Sequence, residues 1–284
     1  RGVFWLGVKQ RRQRPMAADR LTAQQWATLS GTLQLTDAAQ RTGRESCPSR
    51  RVLDPEYCRW LLETLTPPLL SPSIYITASL LAQRIGFFTT AASLYAMSVY
   101  NKGLNMTLDN SVLEFGHARL WTSTMPLYDL TVSLPELGQR DAWRDSLFDT
   151  LFAQHLSPIL HMLSTVSGAP LRILWENVAV RVFSLYEQRI EWDDPAAECS
   201  PGMTLVQQVQ QDFDALLTAP GERFGCDDNP LKPFFRAKTR VPVAGRSVSF
   251  RDVRFRRTCC FYYKASQPQE YCQNCPLLRP AKKT

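Results

Sequence analysis

The feature that most limits what this chain can fold into is the run from Ile74 to Tyr100, apolar on every side except for Gln83 and Arg84. A helix without a polar face must lie in hydrocarbon or at the centre of a core. From Ile85 onward the unbroken apolar, Thr and Ser stretch is about sixteen residues, short of the roughly 20 that a spanning helix requires. The run therefore reads as a buried core helix. With 284 residues, 44% of them apolar, the chain can bury it without disulfides or a structural metal.

The flanking patterns supply the rest of the fold. Leu21, Trp26, Leu29, Leu33 and Leu35, then Tyr57, Trp60, Leu61, Leu62 and Leu65, recur at helical spacings. Asp54-Pro55 is a helix start, and Pro67, Pro68, Pro72 and their serines punctuate the chain before the apolar run. Between Leu104 and Leu134 short Thr-, Val- and aromatic-rich segments alternate with turn residues, which predicts a small antiparallel sheet. An amphipathic helix is expected from Trp143 to about Thr165, kinked or divided at Pro158, and further helices over 171–190 and 205–217. Alternation through Val241, Val243 and Val248 to Phe255 predicts a hairpin, and its slip at Asp252 is compatible with a bulge. The fold class is α+β, mainly helical, with a small antiparallel sheet and a C-terminal hairpin leading into a cysteine segment. Residues 1–15 are expected to be a basic, disordered extension, 16–240 a mainly helical body, and 241–284 the cysteine-bearing segment.

Net charge is +7, but it is concentrated at the two ends. Residues 1–15 carry +5 and residues 251–284 carry +6, leaving −4 for the body. A nucleic-acid surface spreads its Lys and Arg over a face or a helix, so no nucleic-acid partner is expected. With no export signal recognised, a cytoplasmic location is expected, with peripheral association at the inner face of the cytoplasmic membrane as the most that membrane contact would amount to.

Eight cysteines fall into two groups. Cys47, Cys58, Cys199 and Cys226 are scattered and read as buried or free thiols. Cys259-Cys260, eleven intervening residues and Cys272-Gln273-Asn274-Cys275 have ligand spacing, because a C-x-x-C turn aims two thiolates at one metal and a second pair completes four. Vicinal disulfides are strained and out of place in a reducing compartment. Zinc prefers two well-spread C-x-x-C-like turns, which Cys259-Cys260 is not, but a zinc-stabilised binding module stays open. A [2Fe-2S] cluster, with four thiolates over two irons, is the leading reading. His117, His155 and His161 lie far upstream, which disfavours a Rieske-type centre. Arg251, Arg254, Arg256, Arg257, Lys264 and Arg279 would offset the negative charge of such a cluster, and Phe255, Phe261, Tyr262, Tyr263 and Tyr271 could limit water around it.

The segment Arg256-Arg257-Thr258-Cys259-Cys260 with Tyr271-Cys272-Gln273-Asn274-Cys275 resembles the C-terminal signature of the FhuF family of ferric-siderophore reductases. That family carries a C-C-x₁₀-C-x₂-C motif, and here the interval is one residue longer. The likeness extends through Asp228-Asn229-Pro230-Leu231, Leu174-Trp175-Glu176-Asn177 and the apolar run. It implies that Cys259, Cys260, Cys272 and Cys275 hold a [2Fe-2S] cluster, and that the activity is one-electron reduction of Fe(III) in a hydroxamate-type siderophore, releasing Fe(II). No G-x-G-x-x-G or P-loop is present, so electrons are expected from a partner protein, a ferredoxin or flavin reductase. A siderophore-biosynthesis-related protein is the other alternative. Trp175, Glu176 and Asn177, or Glu191, Asp193 and Asp194, could line a substrate pocket, but helix-surface roles are the simpler reading and none is assigned.

Overall fold

The computed structural model describes residues 19–41, 43, 45–245 and 247–281. The expectation for residues 1–15 lies outside them. Among the described residues seven α-helices carry the fold: α1 Ala23–Ser30, α2 Pro55–Leu65, α3 Ile74–Tyr100, α4 Arg140–Phe148, α5 Ser157–Ser167, α6 Leu171–Ser184 and α7 Leu205–Thr218. The apolar run is α3, capped by Ser73, whose hydroxyl accepts from Ile76 N–H, and ended by Asn101 in the left-handed region. Nearly every side chain from Ile76 onward is buried, and α1, α2, α5, α6 and α7 pack around it. Among the described residues no helix is long and apolar enough to cross a membrane.

Helix α6 lies along α3, and Gly86 sets how closely. A Cβ at Gly86 would come within 3.1 Å of Val178 Cα, so any larger residue would push the two helices apart. This spacing positions the site, because α3 and α6 together form the platform for the C-terminal segment. Asp54 caps α2 with Pro55 in its first turn, as the sequence indicated.

Two expectations need correction. The strands between Gly103 and Ser133 exist, but they do not make one sheet: β1 (Leu35–Asp37) pairs parallel with β5 (Met125–Leu127), β2 (Ser46–Pro48) antiparallel with β4 (Val112–Glu114), and β3 (Gly103–Leu104) antiparallel with β6 (Val132–Ser133). Such short strands finish their ladders with whichever segment the helices bring alongside, a choice that local pattern does not encode. Before Pro158 the regular helix is interrupted: a π-helical stretch, Asp149–Leu156, separates α4 from α5, and Pro158 falls in the first turn of α5, where a missing N–H costs least. The slip at Asp252 is not a bulge: β7 (Thr239–Val243) and β8 (Ser249–Val253) pair one to one, Asp252 opposite Arg240. The alternation misled because Val248 and Phe250 are exposed, while Val241, Val253 and Phe255 form a small core of their own.

Candidate metal centre

Strand β8 leads straight into the cysteines, and a few buried polar groups of α3 and α6 hold the cysteine segment in place. Ser79 Oγ donates to the Cys260 carbonyl at 2.9 Å. Glu176, 1% exposed, accepts from Arg257 N–H at 2.6 Å, from Thr258 N–H at 2.7 Å and from the Thr258 hydroxyl. Asn177 donates to the Ser79 carbonyl at 2.7 Å and accepts from Arg256 Nη2. Arg256 Nε donates to the Thr258 carbonyl, and its backbone N–H donates to the Asn274 carbonyl at 2.9 Å, which ties the two cysteine pairs together. Glu176 and Asn177, which sequence reasoning left as helix-surface residues, thus clasp the segment. In a helix sequence only their place inside an apolar stretch could have flagged them.

The quartet gathers at this clasp. Cys260 and Cys275 are buried, and Cys259 and Cys272 are partly so. Cys260 Sγ and Cys272 Sγ stand 3.8 Å apart, the separation that two thiolates have on one tetrahedral metal with bonds of about 2.3 Å. Cys259 Sγ accepts from Phe261 N–H at 3.3 Å, and Phe261 takes a left-handed φ of 64°, which turns the chain that follows into the short helix Tyr262–Lys264. Cys275 N–H donates to the Cys272 carbonyl at 3.0 Å, closing the C-x-x-C turn, and Pro276 opens the adjoining short helix.

As free thiols, Cys260 and Cys272 are hydrogen-bonded to each other. That bond, and then the Arg256 charge, draw Cys260 down to about 6, while the same bond pushes Cys272 up. Burial raises Cys259, with Cys260 and Cys275 adding to the rise. By contrast, Cys47 and Cys58 are plain core thiols, Cys58 raised to about 11 by burial.

The basic residues divide by role. Arg254 is committed to Glu187, which Lys238 also pairs at 3.1 Å, and stacks over Phe235 at 4.2 Å. Arg256 is 3% exposed, acts electrostatically on Cys259, Cys260 and Cys272, and keeps Nη1 without a hydrogen-bond partner. Arg181 on α6 was not anticipated. Its buried Nε is also unpaired, and burial lowers its pKa, while Cys260 and Cys272 act to raise it. Both arginines line a cavity of about 460 Å³ between α6 and β8, with Cys272, Gln273 and Asn274 in its wall.

Asp194 belongs elsewhere: it is buried and accepts from Tyr95 and Tyr100 hydroxyls at 2.8 and 2.6 Å, so its role is to tie α3 to the loop after α6. Tyr263 and Tyr271 stack at 5.2 Å, yet Tyr262 and Tyr271 are exposed, so the aromatic residues shield only part of the quartet.

The chain matches two family models, the ferric iron reductase FhuF-like transporter over residues 79–239 and the FhuF 2Fe-2S C-terminal domain over residues 256–277. It belongs to the FhuF family. No curated protein matches it. The first FhuF match runs from Ser79 through the clasping face of α6, and the second contains all four cysteines. The FhuF 2Fe-2S domain makes the cofactor a [2Fe-2S] cluster and gives the protein a ferric iron reductase-like role.

The residues present suit that cofactor. A two-iron cluster asks for two thiolates per iron, and Cys260 and Cys272, rather than the two cysteines of the C-x-x-C turn, stand at the separation of one such pair. The unpaired, buried N–H of Arg256 is what an anionic group with exposed sulfur would accept from. Arg256→Met is therefore expected to lower the cluster's midpoint potential by tens of mV, ~59 mV for each tenfold change in the one-electron equilibrium. Potentiometric titration of wild type and variant checks this, and an unchanged potential would remove Arg256 from the cluster's surroundings.

Proposed function

We propose that this FhuF-family protein is a ferric-siderophore reductase that transfers one electron to Fe(III) held in a hydroxamate-type siderophore, with Cys259, Cys260, Cys272 and Cys275 as the cluster ligands. The observation that carries the reading is the position of Cys272, which belongs to the gathered quartet and also stands in the wall of a cavity large enough for a chelate. Fe(III) is a hard ion that chelating oxygens hold tightly, and Fe(II) is held more weakly and exchanges faster. The bound [2Fe-2S] group supplies electrons one at a time, which matches the single electron that this release needs.

The chain's own residues do the remaining work. Ser79, Glu176 and Asn177 fix the cysteine segment on α3 and α6, so that the thiolates need not reorganise on binding or on a change of charge. Arg256 places a buried positive charge beside an anionic centre and favours its reduced form. Electrons are proposed to come from a one-electron donor protein of ferredoxin or flavin type, on the cytoplasmic side of the membrane. Residues 241–284 are proposed to act as the electron-carrying unit and 16–240 as the body that presents it.

The test is a single turnover. Protein reduced with dithionite under anaerobic conditions and desalted is expected to regain its oxidised visible spectrum when a ferric tris-hydroxamate is added. One Fe(II) per protein should appear on a ferrous-specific chelator. Protein that stays reduced in the presence of every ferric chelate tried would overturn the assignment, and a colourless, zinc-containing preparation would favour the binding-module alternative.

A further inference from the structure

We infer that the cavity between α6 and β8 is the chelate-binding site, and that Arg181 is the residue that grips the oxygens of the bound ferric chelate; the chelate's identity as substrate rests on the reductase reading above. The cavity, at about 460 Å³, lies within the roughly 300–1,000 Å³ of small-molecule sites. Cys272 stands in its wall, so a chelate bound there would have no intervening protein layer between its iron and a cysteine ligand.

The pairing of the charged groups narrows the choice to Arg181. Arg254 and Lys238 are engaged with Glu187, Arg251 is exposed on the hairpin, and Glu176 is saturated by the backbone it clasps. Arg256 also keeps Nη1 unpaired, but its other nitrogens are held by Asn177 and the Thr258 carbonyl, which fixes it beside the cysteines. Arg181 lines the same cavity, and its Nε is buried without an acceptor, so the guanidinium is not tied to the protein through that nitrogen. Buried donors are normally satisfied, and a guanidinium left without such a partner at a cavity wall is where a ligand oxygen would be held. A guanidinium is the side chain whose several donors can follow the oxygen rim of a chelate.

Charge also selects among chelates. Five cationic and three acidic side chains line the cavity, a balance of +2. A four-thiolate [2Fe-2S] group beside it contributes about −2. The site is then close to neutral, which suits an uncharged ferric tris-hydroxamate and disfavours a ferric tris-catecholate carrying three negative charges.

The experiment uses the gallium(III) tris-hydroxamate complex, which binds as the ferric one does but takes no electron. Calorimetric titration of cluster-loaded protein is expected to show one saturable site, with the gallium tris-catecholate binding more weakly. Arg181→Met should raise Kd about tenfold, the loss of one hydrogen bond to a charged donor. Ser184→Trp, made from a partly exposed position in the cavity wall, should abolish binding by filling it. Both variants should retain the visible spectrum of the cluster. If Arg181→Met loses its cluster, Ser184→Trp decides the matter. Gallium-chelate affinity unchanged in Ser184→Trp, or absent from wild type that passes the turnover test, overturns the cavity assignment and leaves the reductase reading intact. Wild type that binds the gallium chelate yet never reduces the ferric one overturns the reductase reading instead.

Discussion

Cys260→Ser protein, purified without oxygen, is expected to be colourless, to hold no labile sulfide, and to give no paramagnetic signal after dithionite. Cys260 is buried beneath Ser79 and stands 3.8 Å from Cys272. A serine hydroxyl is a poor substitute for a thiolate on iron, and this one would have to ionise in a buried place. The pair on one iron would fall to a single thiolate, and the buried charge of Arg256 would face an empty centre. Cys58→Ser is the matching control, because Cys58 is equally buried but has no metal-ligand spacing to another cysteine. It should keep the full complement of iron and sulfide. Iron and sulfide analysis with visible absorption reads both results, and an intact cluster in Cys260→Ser would show that the proposed ligand set is wrong.

The second large effect is expected from Glu176→Ala. The Glu176 carboxylate satisfies three donors, the N–H groups of Arg257 and Thr258 and the Thr258 hydroxyl, at a position with almost no access to water. Removing it leaves these donors buried without an acceptor, at ~1–3 kcal/mol for each, though the costs of neighbouring groups do not simply add. A loss of about 3 kcal/mol or more is expected, concentrated on the docking of residues 256–260 because the donors all belong to that segment. Limited proteolysis should cut the C-terminal segment of the variant while α3 and α6 stay protected, and the cluster should be lost on desalting. Wild-type protease resistance together with full cluster occupancy would contradict the role given to Glu176. Asn177 provides a graded comparison, since it touches the segment through Arg256 alone.

The resistance of this region to sequence reading has a physical cause. Glu176, Asn177 and Arg181 sit in a helix whose other residues are largely apolar, and the partners of Glu176 and Asn177 lie about eighty residues further along the chain. Nothing local distinguishes a buried carboxylate that clasps backbone N–H groups from one that faces solvent. The paired strands behaved in the same way. Val112–Glu114 was recognisable as extended, but it pairs with Ser46–Pro48, and Met125–Leu127, which pairs with Leu35–Asp37, carries no alternation that would mark it as a strand.

By itself the sequence determined the central helix, since an apolar surface running all the way round has few places to go, and it determined the four-cysteine motif, since C-C and C-x-x-C act over a few residues. The helix caps at Asp54 and Ser73 were settled at the same short range. Tertiary structure alone decided that Cys260 meets Cys272, that Arg256 is buried beside them, and that Arg181 opens into a cavity walled by Cys272. The difference lies in range: hydrophobic periodicity, capping and ligand spacing are local, whereas burying a charge or leaving a donor unpaired depends on which distant surfaces the packing of α3 against α6 brings together.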